Sequence, residues 1–549
     1  MSETSKTFWQ ELAYYLAVAG VVTLAVWLRF DALDERPMHT DEAVQAAITG
    51  ILLESGDYEY DATEYHGPVL HLAAAPVFWA RGVKKYVAMD EWTLRAVPAA
   101  FGVGIVALTL LAGGALGRWP ALWAALFTAV SHGLTYYSRY YIHETPLVFF
   151  TFAALLSGWK YTASNNRGWA LLCGACAALM GATKETAVIV WLAMIAGAAV
   201  AIALERRPSV PLEAEDESAG QRTVSPAAML WRGAPWFLLG FTALWTAAFT
   251  MPFTNWGNLP RSLQAYLEYI GRGLADADAH RHPWTFYLER IIYFKNGAGM
   301  WFSEAPLALL GALGLLAALR RSWLPKGTSP GLTRALAVMT TLLLLAYSLI
   351  PYKTPWCMLG ALHGLALLSG IGVCFAARII SPDWRWRLLV WCVALAAAGM
   401  LLDQTRLGTT RYAADFRNPY VYAHTSPDLT AMTRLISELS ELHSEHERMP
   451  MHVISDGPDY WPLPWYLRRY ARVGYHSQPP DRADAAIIIV QSELEPDVKQ
   501  TLRDQYAVSL YGLRPAVFLK LYVRQDLWDA YVREHQRRLR EMLEEAQKQ

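Results

Sequence analysis

The sequence predicts an α-helical polytopic membrane protein of about 11 transmembrane helices with a small extracytoplasmic α/β domain at its C-terminal end. Three observations lead there. Hydrophobic residues make up 54% of the 549 and charged residues only 17%, against about 25% charged in an ordinary soluble domain. Long apolar runs dominate residues 10–400, at lengths near the ~20 residues that a helix needs to cross a bilayer. After residue 403 the charge returns and the pattern turns to short apolar runs between polar stretches.

The apolar runs lie near 10–29, 94–116, 119–137, 145–160, 168–183, 186–204, 233–251, 301–319, 333–350, 356–376 and 388–402. The first lacks a basic leader and a small-residue cleavage site, so it reads as a retained helix rather than a cleaved signal. Residues 67–81 are also apolar but contain Pro68, His71 and Pro76, which predicts an interfacial or partly inserted helix. The domain division expected from this pattern is 1–402 and 403–549.

Basic residues concentrate in cytoplasmic connections. With the N-terminus inside, the inner connections hold Arg118; Lys160 and Arg167; Arg206, Arg207, Arg222 and Arg232; Arg320, Arg321, Lys326 and Arg334; Arg378, Arg385 and Arg387. The short outer connections hold one cation each: Arg139, Lys184 and Lys353. The expectation is an integral protein of the plasma or inner membrane with a cytoplasmic N-terminus. The loops at 31–92 and 252–300 and the C-terminal domain then lie outside. The segment 205–232, rich in Pro, Glu and Ser, reads as an inner linker.

In the C-terminal region a polar helix is expected over Asp428–Glu447. Strands are expected at 451–457, 485–490 and 516–523, and a charged helix at the end. No glycine-rich nucleotide fingerprint occurs. Forty-eight basic residues balance 48 acidic ones, and with no basic arm or recognition motif nucleic acid is excluded as a partner. Membrane lipids are the partner that composition implies. Cys173, Cys176, Cys357, Cys374 and Cys392 lie in or beside apolar runs and read as small packing residues.

Five polar groups stand at the outer ends of the spans: His39-Thr40-Asp41-Glu42; Tyr65-His66-Gly67-Pro68; Ser138 to Thr145, with Arg139, His143 and Glu144; Thr183-Lys184-Glu185; and Pro351 to Trp356, with Tyr352 and Lys353. Ionisable groups at a membrane border are costly unless paired or wetted, so they are functional candidates. The carboxylates could supply a general base or a metal site. The isolated cations could hold a phosphate or pyrophosphate. Plainer readings stand beside these. Asp41-Glu42 could open a solvated helix capped by Thr40. The three cations could snorkel to lipid headgroups. His39, His66, His71 and His143 with Asp41, Glu42 and Glu144 could gather a metal, although no local spacing demands it. Trp461 and Trp465 could simply pack the outer domain.

The acidic pair after the first span, then YHGPVLH, then EWTLRAVPAAFGVG, resemble the protein O-mannosyltransferase and aminoarabinose-transferase superfamily, membrane glycosyltransferases of the GT-C fold. SRYYIHETPLVFF and GATKETAVIV resemble its later positions. DGPDYWPLPWYLR is similar to the flippase-activity-associated subfamily of archaeal-type N-glycosylation. The resemblance implies sugar transfer from a polyprenyl-phosphate-linked donor to a glycan, lipid or protein acceptor at the outer face. It gives Asp41 the base role, with Glu42 as its neighbour, and matches Glu144 and Lys184 to the second acidic and the basic position. His66 falls in the YHGPVLH motif and joins the substrate-binding candidates. Arg139, Tyr352 and Lys353 are assigned to phosphate contact on charge and position. The scheme fixes no cofactor and leaves room for a divalent cation, which Asp41, His143 and Glu144 could hold. MIR-type domains of the mannosyltransferases are missing, which weakens the case for a protein acceptor. The subfamily also allows an alternative, a non-catalytic flippase or transport component for lipid-linked sugars.

Overall fold

A computed structural model describes residues 3–63, 66–205, 226–274 and 280–548. Tyr65, most of the expected inner linker and residues 275–279 of the second outer loop lie outside the described residues. The chain folds as two compact units that interleave in sequence. One comprises Met1–Leu33, Ser55–Arg81 and Trp92–Tyr422; the other comprises Asp34–Glu54, Gly82–Glu91 and Ala423–Gln549. The second unit thus includes two pieces of the first long loop, 31–92, and Asp41-Glu42 is in one of them. A single cut at 402/403 would assign them to the helices.

The first unit is helical. Its elements are α1 (Glu3–Phe30), α3 (Val69–Ala80), α4 (Glu91–Leu111, beginning at Trp92 within this unit), α5 (Gly113–Leu116), α6 (Arg118–Val130), α7 (His132–Tyr137), α8 (Glu144–Ser164), α9 (Arg167–Gly181), α10 (Ala187–Glu205), α11 (Pro226–Phe249), α12 (Asn258–Leu274), α13 (Phe286–Ile292), α14 (Ala305–Ala318), α15 (Pro330–Leu349), α16 (Leu359–Ile379) and α17 (Trp384–Thr409). The helix α2 (Thr40–Ser55) precedes α3 in the chain and lies almost wholly in the other unit.

Among the described residues six helical stretches are long and apolar enough to cross a membrane: Phe8–Phe30, Glu91–Leu111, Ala187–Glu205, Pro330–Leu349, Pro355–Ile379 and Trp384–Thr409. The other five expected spans coincide with α6 and α7, α8, α9, α11 and α14, which are shorter or more polar. The run expected at 119–137 is not one helix. It breaks at Ser131, whose hydroxyl accepts from the Leu134 N–H and caps α7. The run at 94–116 likewise ends at Leu111 and continues only as the single turn α5. The interfacial helix expected at 67–81 is α3, preceded by Pro68 and carrying Pro76.

Between apolar helices, close backbone approach replaces the hydrophobic drive that water would supply. A Cβ on Gly174 of α9 would lie 2.0 Å from the Phe237 carbonyl oxygen of α11, and one on Gly314 of α14 would lie 2.0 Å from that of Leu368 on α16. Only glycine permits contact at that range.

The second unit holds a five-stranded sheet in the order β2-β1-β3-β5-β4. Its strands are β1 (Met451–Ile454), β2 (Val473–His476), β3 (Ile487–Gln491), β4 (Tyr506–Arg514) and β5 (Val517–Arg524). β1 runs parallel to β2 and β3, while β5 runs antiparallel to β3 and β4. Strand side chains alternate between faces. Ile487 and Ile489 therefore pack with Leu429, Met432, Ile436 and Leu439 of helix α18 (Pro427–Leu442). Ile488 and Val490 face the other way, onto Ile454, Val498 and Tyr522. Two short helices, α19 (Leu463–Tyr466) and α20 (Glu495–Thr501), and the terminal α21 (Gln525–Lys548) complete the unit. Strands β2 and β4 were not expected. VGYH carries a glycine and no alternation, and β4 is an edge strand whose residues are mostly half-exposed.

Candidate functional site

In the second unit the acidic pair opens α2. The Ala43 N–H donates to the His39 carbonyl, so His39, not Thr40, is the capping residue. The His39 Nδ1 accepts from the Asp41 N–H at 3.1 Å, and the Glu42 carboxylate reaches back to accept from the His39 N–H at 2.9 Å. This is a reciprocal cap of the capping-box type, with histidine in the serine position. Glu42 is fully buried, and its Oε1 accepts from Arg36 at 3.1 Å. The Arg36 guanidinium also donates to the His424 Nε2 at 2.9 Å, while the His424 Nδ1 donates to the Thr425 carbonyl. Burial, then Arg36, push the His424 imidazole well below its ordinary range, which keeps Nε2 an acceptor. Asp41 differs from its neighbour. Its side chain is 47% exposed, and its Oδ1 stands 3.8 Å from the His39 Nδ1, beyond hydrogen-bond range.

In the first unit a second polar set forms where connections between helices meet. The backbone around Gly67 lies against the turn after α9: the Val69 N–H donates to the Ala182 carbonyl at 3.2 Å, and a Cβ at Gly67 would lie 2.1 Å from that oxygen. This contact brings His66 to Glu185. The His66 Nδ1 donates to Glu185 Oε2 at 2.7 Å, and the Tyr60 hydroxyl donates to Oε1 at 2.7 Å. Burial raises the Glu185 carboxyl, but His66 and Tyr60 outweigh it and hold the group below its ordinary range. The His143 Nε2 donates to the Gly67 carbonyl at 3.1 Å, and the rings of His66 and His71 stand 5.2 and 5.8 Å from that of His143.

Glu144 and Lys184 form a buried ion pair. Together with Thr151, Tyr347 and Cys357 they line a cavity of about 20 Å³, room for about one water. Arg139 donates to the carbonyls of Leu28 and Ala32 at 3.0 and 3.1 Å, serving the unpaired acceptors at the C-terminal end of α1. Lys353 and Tyr352 join other partners. The Lys353 ammonium donates to the His282 and Ile350 carbonyls, and its N–H donates to the His280 carbonyl. The half-exposed Tyr352 ring lies 4.8 Å from that of His280. The His280 and His282 rings both meet the Tyr422 hydroxyl, at 2.8 and 3.0 Å.

Thus Glu144 with Lys184, and His66 with His143, come together, while Tyr352-Lys353 and Arg139 have separate partners. Among the described residues no three His, Cys, Asp or Glu side chains gather as a metal site. His143 Nε2 and the Glu144 carboxylate, two of the three groups expected to hold a divalent cation, are engaged as described. Nothing in the sequence around Tyr60 or Glu304 marks either as part of a site. The Glu304 carboxylate is buried under donors from Ser131, the Gly133 N–H and Tyr420, at 2.7, 2.7 and 2.8 Å. In sequence it looks like an ordinary acid ahead of a helix. The break at Ser131, which frees the first N–H groups of α7, supplies two of its three donors.

A family model for dolichyl-phosphate-mannose-protein mannosyltransferase matches residues 75–215. Among solved structures the chain is similar to ArnT from Cupriavidus metallidurans in the apo state, with a TM-score of 0.59 at 14% identity over 94% of this chain and 98% of that one. It is similar to the same protein bound to undecaprenyl phosphate, with a TM-score of 0.54 at 16% identity, over 93% and 98%. The apo oligosaccharyltransferase of Archaeoglobus fulgidus gives a TM-score of 0.53 at 12% identity, over 94% and 77%. No curated protein sequence matches the chain. The chain shares its fold with ArnT and with the archaeal oligosaccharyltransferase, and its six long apolar helices mark it as an integral membrane protein.

Proposed function

We propose that this chain transfers a sugar from a polyprenyl-phosphate-linked donor to a glycan, lipid or protein acceptor at the outer membrane face, its N-terminus being cytoplasmic. ArnT, which shares the fold, has been solved with undecaprenyl phosphate bound, and the mannosyltransferase match covers the region of Glu144 and Lys184. One observation carries the assignment of roles. Glu42, Glu144, Glu185 and Glu304 are all buried against donors, whereas Asp41 is half exposed. A general base must reach the proton it removes, and among the carboxylates of the five polar groups Asp41 is the exposed one.

In this scheme the Asp41 carboxylate accepts the acceptor's hydroxyl proton. The freed oxygen bonds to the anomeric carbon, and the polyprenyl phosphate leaves with the electrons of the broken C–O bond. A single displacement inverts the anomeric centre. Lys184, held in place by Glu144, and Lys353 stabilise the departing phosphate. Arg139 acts indirectly, since its terminal nitrogens serve the carbonyls of Leu28 and Ala32 at the end of α1.

The test is transfer from a radiolabelled polyprenyl-phosphate sugar in reconstituted vesicles. Wild type should form a glycosidic product, and Asp41→Asn should not, at unchanged membrane insertion. Full activity in Asp41→Asn removes the base role. Movement of the lipid-linked sugar across the vesicle with no product supports the transport alternative instead.

A further inference from the structure

The second unit contains a cavity of about 370 Å³ between α18 and the segment that follows α19, within the ~300–1,000 Å³ usual for small-ligand sites. One wall is a single face of α18. Thr430, Thr433, Arg434 and Ser437 recur at intervals of three and four, so they lie one above another, on a different face from Leu429, Met432, Ile436 and Leu439, which pack the core. The facing wall supplies Arg468 and Arg469, with the rings of Tyr466 and Tyr470 beside them. Three guanidiniums line the cavity and no carboxylate does.

The hydrogen bonds that hold Arg468 and Arg469 in place go to neutral carbonyls and hydroxyls. Arg469 donates to the Ser437 hydroxyl at 2.5 Å and to the Tyr470 hydroxyl at 2.9 Å, tying the two walls together. Arg468 lies 3.8 Å above the Trp465 ring and donates to the Trp465 and Met89 carbonyls, yet its buried Nε has no partner. The Thr430 hydroxyl is also buried and without a partner. Glu438, one helical turn beyond Arg434, is placed to pair with it, but accepts instead from the Tyr531 hydroxyl at 3.0 Å. Arg468 feels the Glu91 and Asp90 carboxylates behind it, but no carboxylate lines the cavity beside Arg434 and Arg469; like charges gathered there repel, and buried polar atoms without partners are costly. An anionic ligand relieves both.

We propose that this cavity binds a saccharide bearing a carboxylate or a phosphate. The guanidiniums match a planar or tetrahedral anion through paired hydrogen bonds. The hydroxyls of Thr430, Thr433 and Ser437 suit the ring hydroxyls of a sugar, and the tyrosine rings suit its apolar face. The site goes beyond the transfer reaction, since it names a glycan class that a separate cavity selects.

The experiment is calorimetric titration of the full chain in detergent micelles with a hexuronate tetrasaccharide, a hexose 1-phosphate and a neutral hexose tetrasaccharide of equal length. Both acidic saccharides should bind at least about tenfold more tightly than the neutral one. Arg434→Ala should weaken them by about tenfold, the loss expected for one charge-assisted bond, with no change in melting temperature. Arg434→Lys should recover part of that loss. Arg434→Ala/Arg469→Ala should weaken binding further. Equal binding of the neutral saccharide overturns the proposal, as do acidic saccharides indifferent to both variants. Binding of phosphatidylglycerol vesicles through these arginines, with no binding of saccharide, also overturns it. Asp41→Asn should bind the acidic saccharides as wild type does, so failure of the transfer reaction and failure of this site are told apart.

Discussion

Between the helices of the first unit, the carboxylates Glu144, Glu185 and Glu304 are each buried against a donor: Lys184 for the first, His66 and Tyr60 for the second, Ser131, Gly133 and Tyr420 for the third. The second unit divides its charges differently. Glu42 is buried on Arg36, but Asp41 beside it is half exposed, and three arginines share a cavity that no carboxylate lines. The contrast follows from solvation. A charge beside apolar helices loses water on most sides, so an unpaired one costs several kcal/mol and is matched within the fold. A charge on a solvated unit can stay uncommitted at little cost and remain available to a ligand. In this chain pairing fixes the carboxylates between the helices and presets Lys184, while the carboxylate open to a substrate, Asp41, lies on the second unit.

The sharpest way to break that contrast is at Asp41. Asp41→Asn should lower transfer by ~10²–10⁴-fold, the range of a lost general base, without moving the thermal unfolding midpoint. A shifted midpoint would show Asp41 to be structural like Glu42. Next in size is Arg36→Ala, which strands the buried Glu42 carboxylate. It should destabilise the second unit by about 3–5 kcal/mol, read by chemical denaturation, and Arg36→Ala/Glu42→Gln should recover part of the loss. Gly67→Ala forces a Cβ to 2.1 Å from the Ala182 carbonyl. It should cost about 1–3 kcal/mol as an overpacked contact and lower activity by displacing His66 from Glu185. A Gly67→Ala protein as stable as wild type would mean that the loop does not dock there.

The smallest expected effect is one of pH. Hydrogen bonds from Lys520, Lys499 and Tyr522 hold the Glu495 carboxyl down to about 2, from an ordinary 4.5. A carboxyl depressed in the folded state adds stability that is complete above pH 4.5 and is lost as pH falls toward 2. Glu495→Gln should flatten that part of the stability profile, by at most about 1 kcal/mol for pairs this close to solvent. An unchanged profile would remove Glu495 from the acid response.

Much of the fold is legible in the chain because spans and buried strands are written as uninterrupted apolar runs. Each expected span falls on helix, and β1, β3 and β5 lie within or overlap the three expected strands. The break at Ser131 was not legible, since Ser131-His132-Gly133 interrupts the run too briefly to end it and the cap formed with Leu134 and Glu304 stops the helix. The start of α2 at Thr40 was legible from acids at a helix N-terminus, but the cap fell to His39 because Glu42 reaches back to the His39 N–H. Strand β2 was lost for want of alternation, and its pairing with β1 supplies what its own four residues lack.

By itself the sequence determined how many apolar runs could meet a membrane, which residues between them are ionisable, and where polar character resumes after residue 403. Local composition is enough for these, because transfer of a side chain out of water is a property of that side chain. Which carboxylates are spent was decided only by the tertiary structure. Glu185 meets a histidine 119 positions away, Glu144 a lysine 40 away, and Arg36 a histidine 388 away. Pairing depends on distance in space and on lost solvent. Neighbours in sequence such as Asp41 and Glu42 can therefore end with opposite fates.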